Sequence, residues 1–332
     1  MQQEIDVNLF HSLRHLTVLG LSLITGATAW AQPADYPTRP ITIIVPYSAG
    51  GIGDSLARII GDKVSQILRQ PVIVEDRPGG NANIGILAVA KAAPDGYTWL
   101  LAAPALTANP SLYKHAWDPL KDFIGVGIAV SAPSLLVVPA QSKVRDLKDF
   151  IGLAKQSPSK LNYGNPGIGS SMHLNTELFK MASGIDLVSI PYKAQPGVLT
   201  ALIRGDVAIA FLSTGLAAPQ ITSGRLKPLA VVAEHRIPGF PDVPTLAEAG
   251  YGEANVVPWY GFAVPGATPH ATALRINDAI NRALSSSDVQ DKLRNLDMVP
   301  QSPRSLDEIS AVIRSDYEKY RAVIKKAGIT AD

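Results

Sequence analysis

The residues best suited to chemistry lie in two Gly-rich turns. Residues 41–60 read ITIIVPYSAGGIGDSLARII. An apolar run (Ile41, Ile43, Ile44, Val45) stops at Pro46, a small turn with Ser48, Gly50, Gly51 and Gly53 follows, and Asp54 opens a segment with apolar residues at helical spacing. A buried strand feeding a glycine turn into a helix N-terminus presents unpaired N–H groups and the positive end of a helix dipole, which suits an anion. Glycine serves many such turns for backbone reasons alone. A second turn, LNYGNPGIGSS at 161–171, strengthens the case and adds Asn165, Ser170, Ser171 and His173 as polar side chains. There a structural reading stands beside the functional one: a serine caps the helix, with Glu177 in its first turns, and His173 packs beneath it. Capping does not exclude ligand contact.

Enzyme signatures are weak. The six histidines are scattered, with no i, i+4 pair and no HExxH, so no metal site is expected. There is no GxSxG elbow, no GxGxxG fingerprint, and no carboxylate pair placed for acid–base work. SxxK occurs at 111–114 and 157–160, a pattern that arises by chance. Trp99, Trp117 and Trp259 could stack a flat ligand but read first as core packing. The absence of cysteine removes thiol chemistry, Cys-ligated metal and a lipid-anchored N-terminus. No cofactor is expected.

The elements that would position the turns alternate between strand-like runs and amphipathic helices. Residues 72–75, 98–101, 124–130, 134–138, 187–190, 207–212, 227–232 and 259–264 read as strands. Helices are expected near 84–92, 146–156 and 172–183, after the segment 191–197, and through the tail, where Ile309, Ile313, Tyr317, Tyr320 and Ile324 make one apolar line. The order predicts an α/β fold with a largely parallel sheet. Residues 102–110 (AAPALTANP) read as a flexible loop. At the N-terminus, Arg14 precedes an apolar run and Ala29-Trp30-Ala31 completes a small-x-small cleavage pattern, so residues 1–31 read as a cleaved export signal. Its apolar run falls well short of the roughly 20 residues of a membrane span. Removing 1–31 moves the net charge from +2 to +3, too little for a nucleic-acid partner.

Several motifs resemble the extracytoplasmic solute receptors of tripartite tricarboxylate transporters, the Bug receptors. They run from YPTRPITIIVPYSAGG through VEDRPGGNANIG, APDGYTWLLAAP, NPSLYK, DPLKDF, LNYGNPGIGSSMHLNTELFK, IPYKAQPG, LKPLAV and PDVPTLAEAGY to WYGFAVPGATP. The resemblance implies a two-domain periplasmic-binding-protein fold of the Venus-flytrap type with two crossover connections, near 131–134 and 257–260. It places domain 1 at 32–132 and 257–332, domain 2 at 133–256, and the ligand cleft between them. It implies a monomeric, non-enzymatic periplasmic receptor that captures a small organic carboxylate (di-, tri- or aromatic) and delivers it to membrane permease subunits. The same fold serving a sensor kinase is the alternative, and a secreted hydrolase a third reading.

Family receptors hold a carboxylate through backbone N–H groups and small polar side chains of facing turns. That points to Tyr47, Ser48, Gly50, Gly51 and Asp54 in the first turn, and to Asn165, Gly167, Ser170, Ser171 and His173 in the second. Ala105, Thr107 and Tyr192 border the same cleft. The chain departs from the family at Ile52-Gly53, where Pro-Thr is usual, and at Ala194-Gln195-Pro196, which replaces a glycine cluster. Ala208 and Leu212 stand where many members carry Asp. Fewer carboxylates there lead to the expectation of an acidic or partly apolar ligand rather than an amino acid, whose ammonium wants an anion.

Overall fold

The computed structural model describes residues 36–331 except 115 and 297, so the expected export signal at 1–31 lies outside the described residues. Contacts separate residues 1–38 from 39–332, and the fold below is that of the second unit. Its first strand, β1 (Ile41–Val45), is buried almost throughout because it is the apolar run read from the sequence. It leads into α1 (Ile52–Leu68), which buries Leu56, Ala57, Ile60 and Val64 along one side. Then come β2 (Val72–Asp76), α2 (Asn83–Ala90) and β3 (Thr98–Ala102). Both β2 and β3 pair with β1 in parallel.

Residues 102–110 differ from the expectation of a flexible loop. They form a short helix, α3 (Ala105–Ala108), followed by a 3-10 turn at Asn109–Ser111. Leu106, Thr107, Ala108 and Asn109 are buried. Small residues let this segment pack closely, and the Trp117 indole N–H closes it by donating to Leu106 O at 2.8 Å.

Two long strands, β4 (Phe123–Ser131) and β5 (Ser134–Pro139), carry the chain out of the first sheet and into the second. There follow α4 (Leu147–Gln156), β6 (Asn162–Asn165), α5 (Ser171–Ser183), β7 (Val188–Pro191), α6 (Gln195–Arg204), β8 (Ile209–Ser213), α7 (Thr214–Thr222) and β9 (Leu226–Val232). The return runs through β10 (Trp259–Pro265), α8 (His270–Leu284), α9 (Ser287–Arg294), the two-residue β11 (Val299–Pro300) and α10 (Leu306–Ala327). The sheets have the orders β11-β4-β10-β3-β1-β2 and β7-β6-β8-β5-β9. They are less parallel than expected. β10 runs antiparallel to β3 and β4, and β5 antiparallel to β8 and β9. Chain that crosses between sheets enters each one against the direction of its βα units.

The crossing segments lie side by side, with Ala132 N–H donating to Pro258 O at 2.8 Å. Behind them α10 spans both halves. Ile309 and Ile313 join the core over the first sheet, while Tyr320, Val323 and Ile324 join the core of the second. The predicted apolar line is therefore real but divided between two cores, and Tyr317 is only half-buried. Trp99, Trp117 and Trp259 are core residues, as read. Trp99 donates to Gly96 O at 2.6 Å, and Trp259, the first residue of β10, donates to Asp316 Oδ2 on α10 at 2.7 Å. A cavity of about 180 Å³ borders this bond, with Ser131, Asn255, Arg304 and Lys319 on its wall. Arg304 also pairs with Glu234 at 3.5 Å.

Burial raises the Asp316 carboxyl from the ordinary 3.8 to about 6, against the opposing pull of the Trp259 hydrogen bond and Lys319. A carboxyl whose folded-state value is raised costs nothing below about pH 4, where both states are protonated. Its cost grows between pH 4 and 6 and is full above pH 6. Asp316→Asn keeps an acceptor for Trp259 and removes that cost. It should stabilise the protein by about 1–2 kcal/mol at pH 7 and by nearly nothing at pH 4, as read by urea denaturation at the two pH values. Equal effects at both would contradict it.

Candidate ligand-binding cleft

The first turn is built around a carboxylate of its own. Asp54 Oδ2 accepts from Gly50 N–H at 2.8 Å, and the guanidinium Nε of Arg58 lies 2.7 Å from Oδ1. The second contact is an ion pair without hydrogen-bond alignment, since that oxygen has no hydrogen-bond partner. Arg58 also reaches Asp76 at 3.6 Å. Partial burial and the Asp54 charge raise the Asp76 carboxyl, with Arg58 opposing them. Gly50 sits at φ +80°, where a side chain would be strained.

The helix that follows is left uncapped. Its N-cap is Gly51, which offers no side chain. Ser55 N–H is the first to find a helical acceptor, Gly51 O at 3.0 Å, so the amides of Ile52, Gly53 and Asp54 have no carbonyl of the helix to bond. Ser48, Gly50, Gly51 and Ile52 are exposed. The half-buried Tyr47 lies beneath, its phenol pushed well above the usual range by burial and by the neighbouring Tyr260.

In the second turn the polar side chains mostly brace the chain. Asn165 Oδ1 accepts from Gly167 N–H at 3.0 Å, while its Nδ2 donates to Ser189 Oγ at 2.9 Å. Ser170 caps α5, accepting from His173 N–H at 3.3 Å, and its hydroxyl donates to Gly167 O at 2.7 Å. His173 Nδ1 accepts from Gly169 N–H at 3.0 Å, which puts the ring proton on Nε2. The ring is buried and stacked on Tyr163, and burial holds its pKa below the usual value. The structural reading of this serine and histidine is thus what is found. Ser171 N–H and Met172 N–H precede the first helical bond, Leu174 N–H to Ser170 O at 2.9 Å.

A line of contacts joins the two turns. Pro46 presses on Gly85 at the start of α2, where a Cβ would lie 2.8 Å from it. Asn109, in the 3-10 turn after α3, donates from Nδ2 to Asn81 O in the loop before α2 at 2.7 Å and to Asn83 Oδ1 at 2.8 Å. Three residues on, Leu112 fills the space where a Gly169 side chain would point. Ala105 and Thr107 lie on this line, the first half-buried and the second buried with its hydroxyl donating to Pro104 O at 3.1 Å. Tyr192 packs beside Gly164 and Gly197, and its N–H donates to Asn165 O at 2.9 Å. The side-chain-by-side-chain reading missed Asn83, Asn109 and Tyr260, whose only signal was membership of the quoted motifs.

Ala208 and Leu212 do not lie where the expectation of an acidic ligand placed them. Leu212 is fully buried in the core beneath α6 and α7. Ala208 precedes β8, at the sheet edge opposite the two-turn region. Neither position could meet a ligand's ammonium. Among the described residues no cluster of His, Asp and Glu could hold a metal ion.

Comparison with known proteins now decides the family. The model of the tripartite tricarboxylate transporter family receptor, TctC, matches residues 56–329. The chain belongs to this family. Protein BugT of Bordetella pertussis is 33% identical over 322 residues, 95% of this chain and 98% of its own. Among solved structures, a TctC solute-binding protein from Polaromonas is similar with a TM-score of 0.78 and 30% identity, over 88% of this chain and 99% of that one. Rpa4515 of R. palustris, solved with adipate, gives 0.72 and 32% over 89% and 99%. MatC of Rhodopseudomonas palustris, solved with malate, gives 0.70 and 30% over 87% and 100%. The TctC receptor thus has the two-domain α/β periplasmic-binding-protein fold expected from its motifs.

The bonds of Asp54 make it a brace for the first turn. Asp54→Ala leaves Gly50 N–H without its acceptor and should cost about 1–3 kcal/mol of stability, while Asp54→Asn, which keeps an acceptor, should cost less than half as much. Urea denaturation of the two variants checks this, and an unperturbed Asp54→Ala protein would contradict the bracing role.

Proposed function

We propose that this TctC receptor is a periplasmic protein that closes around a small organic carboxylate and delivers it to the permease subunits of a tripartite transporter. The observation that carries the reading is the uncapped start of α1, where consecutive amides and the positive end of the helix dipole meet solvent beside exposed glycines. In this reading the amides after Gly51, with Ser48 and Tyr47, hold one side of a carboxylate. The start of α5 at Ser170 and Ser171 approaches it from the other side. Asp54, Asn165, Gly167 and His173 keep the turns in shape, and Ala105, Thr107 and Tyr192 line the cleft. The acids bound by Rpa4515 and MatC support this ligand class.

Residues 32–132 with 257–332, and 133–256, would form the two bodies of the hinge. The paired crossings at Ala132 and Pro258 support this division. Ligand contacts to both bodies favour the closed state. Export would remove residues 1–31.

A thermal-shift screen of refolded, ligand-free protein tests the reading against di-, tri- and aromatic carboxylates, amino acids and sugars. An acid at about 100 times its Kd should stabilise by about 2.7 kcal/mol, a rise of several degrees. Selective response to sugars, or to no acid at all in folded protein, would overturn the assignment.

Gly51→Val separates site from fold. Gly51 has an ordinary φ of −81°, and a Cβ there would meet only Ser48 O at 3.4 Å. The variant should keep its melting temperature within about 3 °C and lose at least about tenfold in affinity. Unchanged affinity would move the acid away from this turn. Gly169→Val cannot serve this purpose, because φ +77° and the Leu112 contact would strain the fold itself.

A further inference from the structure

We propose that Gln195 reads the far end of the bound acid, donating its side-chain N–H groups to a second carboxylate and so selecting dicarboxylates over monocarboxylates and amino acids. This inference rests on the receptor reading above and names the ligand class more narrowly.

Gln195 is the first residue of α6 and sits at the carboxyl ends of the parallel strands β6, β7 and β8. Asn165 pairs with Pro191 there, and Tyr163 with Ile209, which puts Ser213 at the same edge. The Gln195 side chain reaches across to β8, where Oε1 accepts from Ser213 N–H at 2.9 Å. A backbone N–H can be met only by the amide oxygen, so this bond fixes which end of the carboxamide faces which way. The Nε2 group, with two hydrogens to donate, has no partner among the described residues, and Gln195 is only half-buried.

The same edge adjoins the crossing between the sheets. Ser213 lies directly across from Ser134, the first residue of β5 after the crossing. Thr214 Oγ1 donates to Pro133 O at 3.1 Å. Ser134 is 1% exposed, yet its hydroxyl has no hydrogen-bond partner. A polar atom left unmet in a buried place is uncommon in a folded protein. Here it marks the strand end where Gln195 also has unused donors.

The charge of this edge selects the partner. Neither residues 191–198 nor residues 213–218 contain Asp or Glu, and Lys193 stands exposed beside Gln195. Glu234, which follows β9 at this edge, is already paired with Arg304, so a ligand ammonium would find no unpaired carboxylate in these segments, whereas a carboxylate would find neutral donors and a nearby cation.

Gln195→Glu is the sharp test. It keeps an oxygen for Ser213 N–H and replaces the free donor with a second, negatively charged oxygen. Titration calorimetry would compare the native protein, Gln195→Glu and Gln195→Ala with adipate and succinate against hexanoate and butyrate. The native protein should prefer its dicarboxylate by about tenfold or more, Gln195→Glu should lose about that factor for dicarboxylates alone, and Gln195→Ala should fall between. Dicarboxylate affinity unchanged in Gln195→Glu, or an equal fall for mono- and dicarboxylates, overturns the proposal while leaving the receptor reading intact. A native protein that binds none of the four acids nor any other carboxylate overturns both.

Discussion

Main-chain amides can hold an anion only where the chain leaves them unpaired, and a chain that leaves them unpaired must be held in place by something else. That constraint organises the region around the first turn. Gly51 at the start of α1 supplies no cap, so the amides behind it stay open. The work of fixing the turn passes to Asp54, which ties down Gly50 N–H, and to Arg58, which offsets the Asp54 charge. Without that cation, a fixed carboxylate beside the amides would repel the acid they are suited to hold. The second turn meets the same constraint with neutral groups. Asn165, Ser170 and His173 brace Gly167, Gly169 and the start of α5 from below. Two turns that look alike in sequence are therefore stabilised by different chemistry.

The hinge closure proposed for this receptor would have to be reconciled with a helix that touches both sheets. α10 packs Ile309 and Ile313 against one core and Tyr320, Val323 and Ile324 against the other. Between those groups lie Asp316, its bond to Trp259 and the small cavity behind the crossings. Packed interiors resist continuous deformation, so in such a closure the cavity beside the paired crossings would be a place able to give. A buried carboxylate held there lowers stability at neutral pH, which is tolerable only because the surrounding core is large.

Much of the fold was legible because burial imposes periodicity. Ile41–Val45, Thr98–Ala102 and Trp259–Pro265 are strands where apolar runs stop at turn residues, and the capped helices at Asp146 and Ser170 begin where capping residues stand. The segment Ala105–Ala108 was misread as flexible because small residues carry little periodic signal, and its order comes from the Trp117 indole and from Asn109, which ties its end to Asn83. Strand direction in the mixed sheets was likewise hidden, since a strand's pattern is the same whichever way it runs.

Local order along the chain decided the element sequence, the glycine turns, the absence of thiols and the motifs that place the chain in its family. These depend on residue type and spacing, which a sequence states directly. Tertiary structure decided which of the polar residues are braces and which have free donors. Asp54, Asn165 and His173 read as ligand contacts in sequence, and in the fold each also gives one polar atom to a backbone N–H of its own turn. Ala208 precedes β8 and Leu212 is buried in the core, both away from the exposed face of the two turns. Gln195, in a stretch that reads only as a departure from a glycine cluster, is turned by Ser213 so that its donors are unused. A hydrogen bond uses up a polar group without changing its identity, so only the folded arrangement reveals which groups remain.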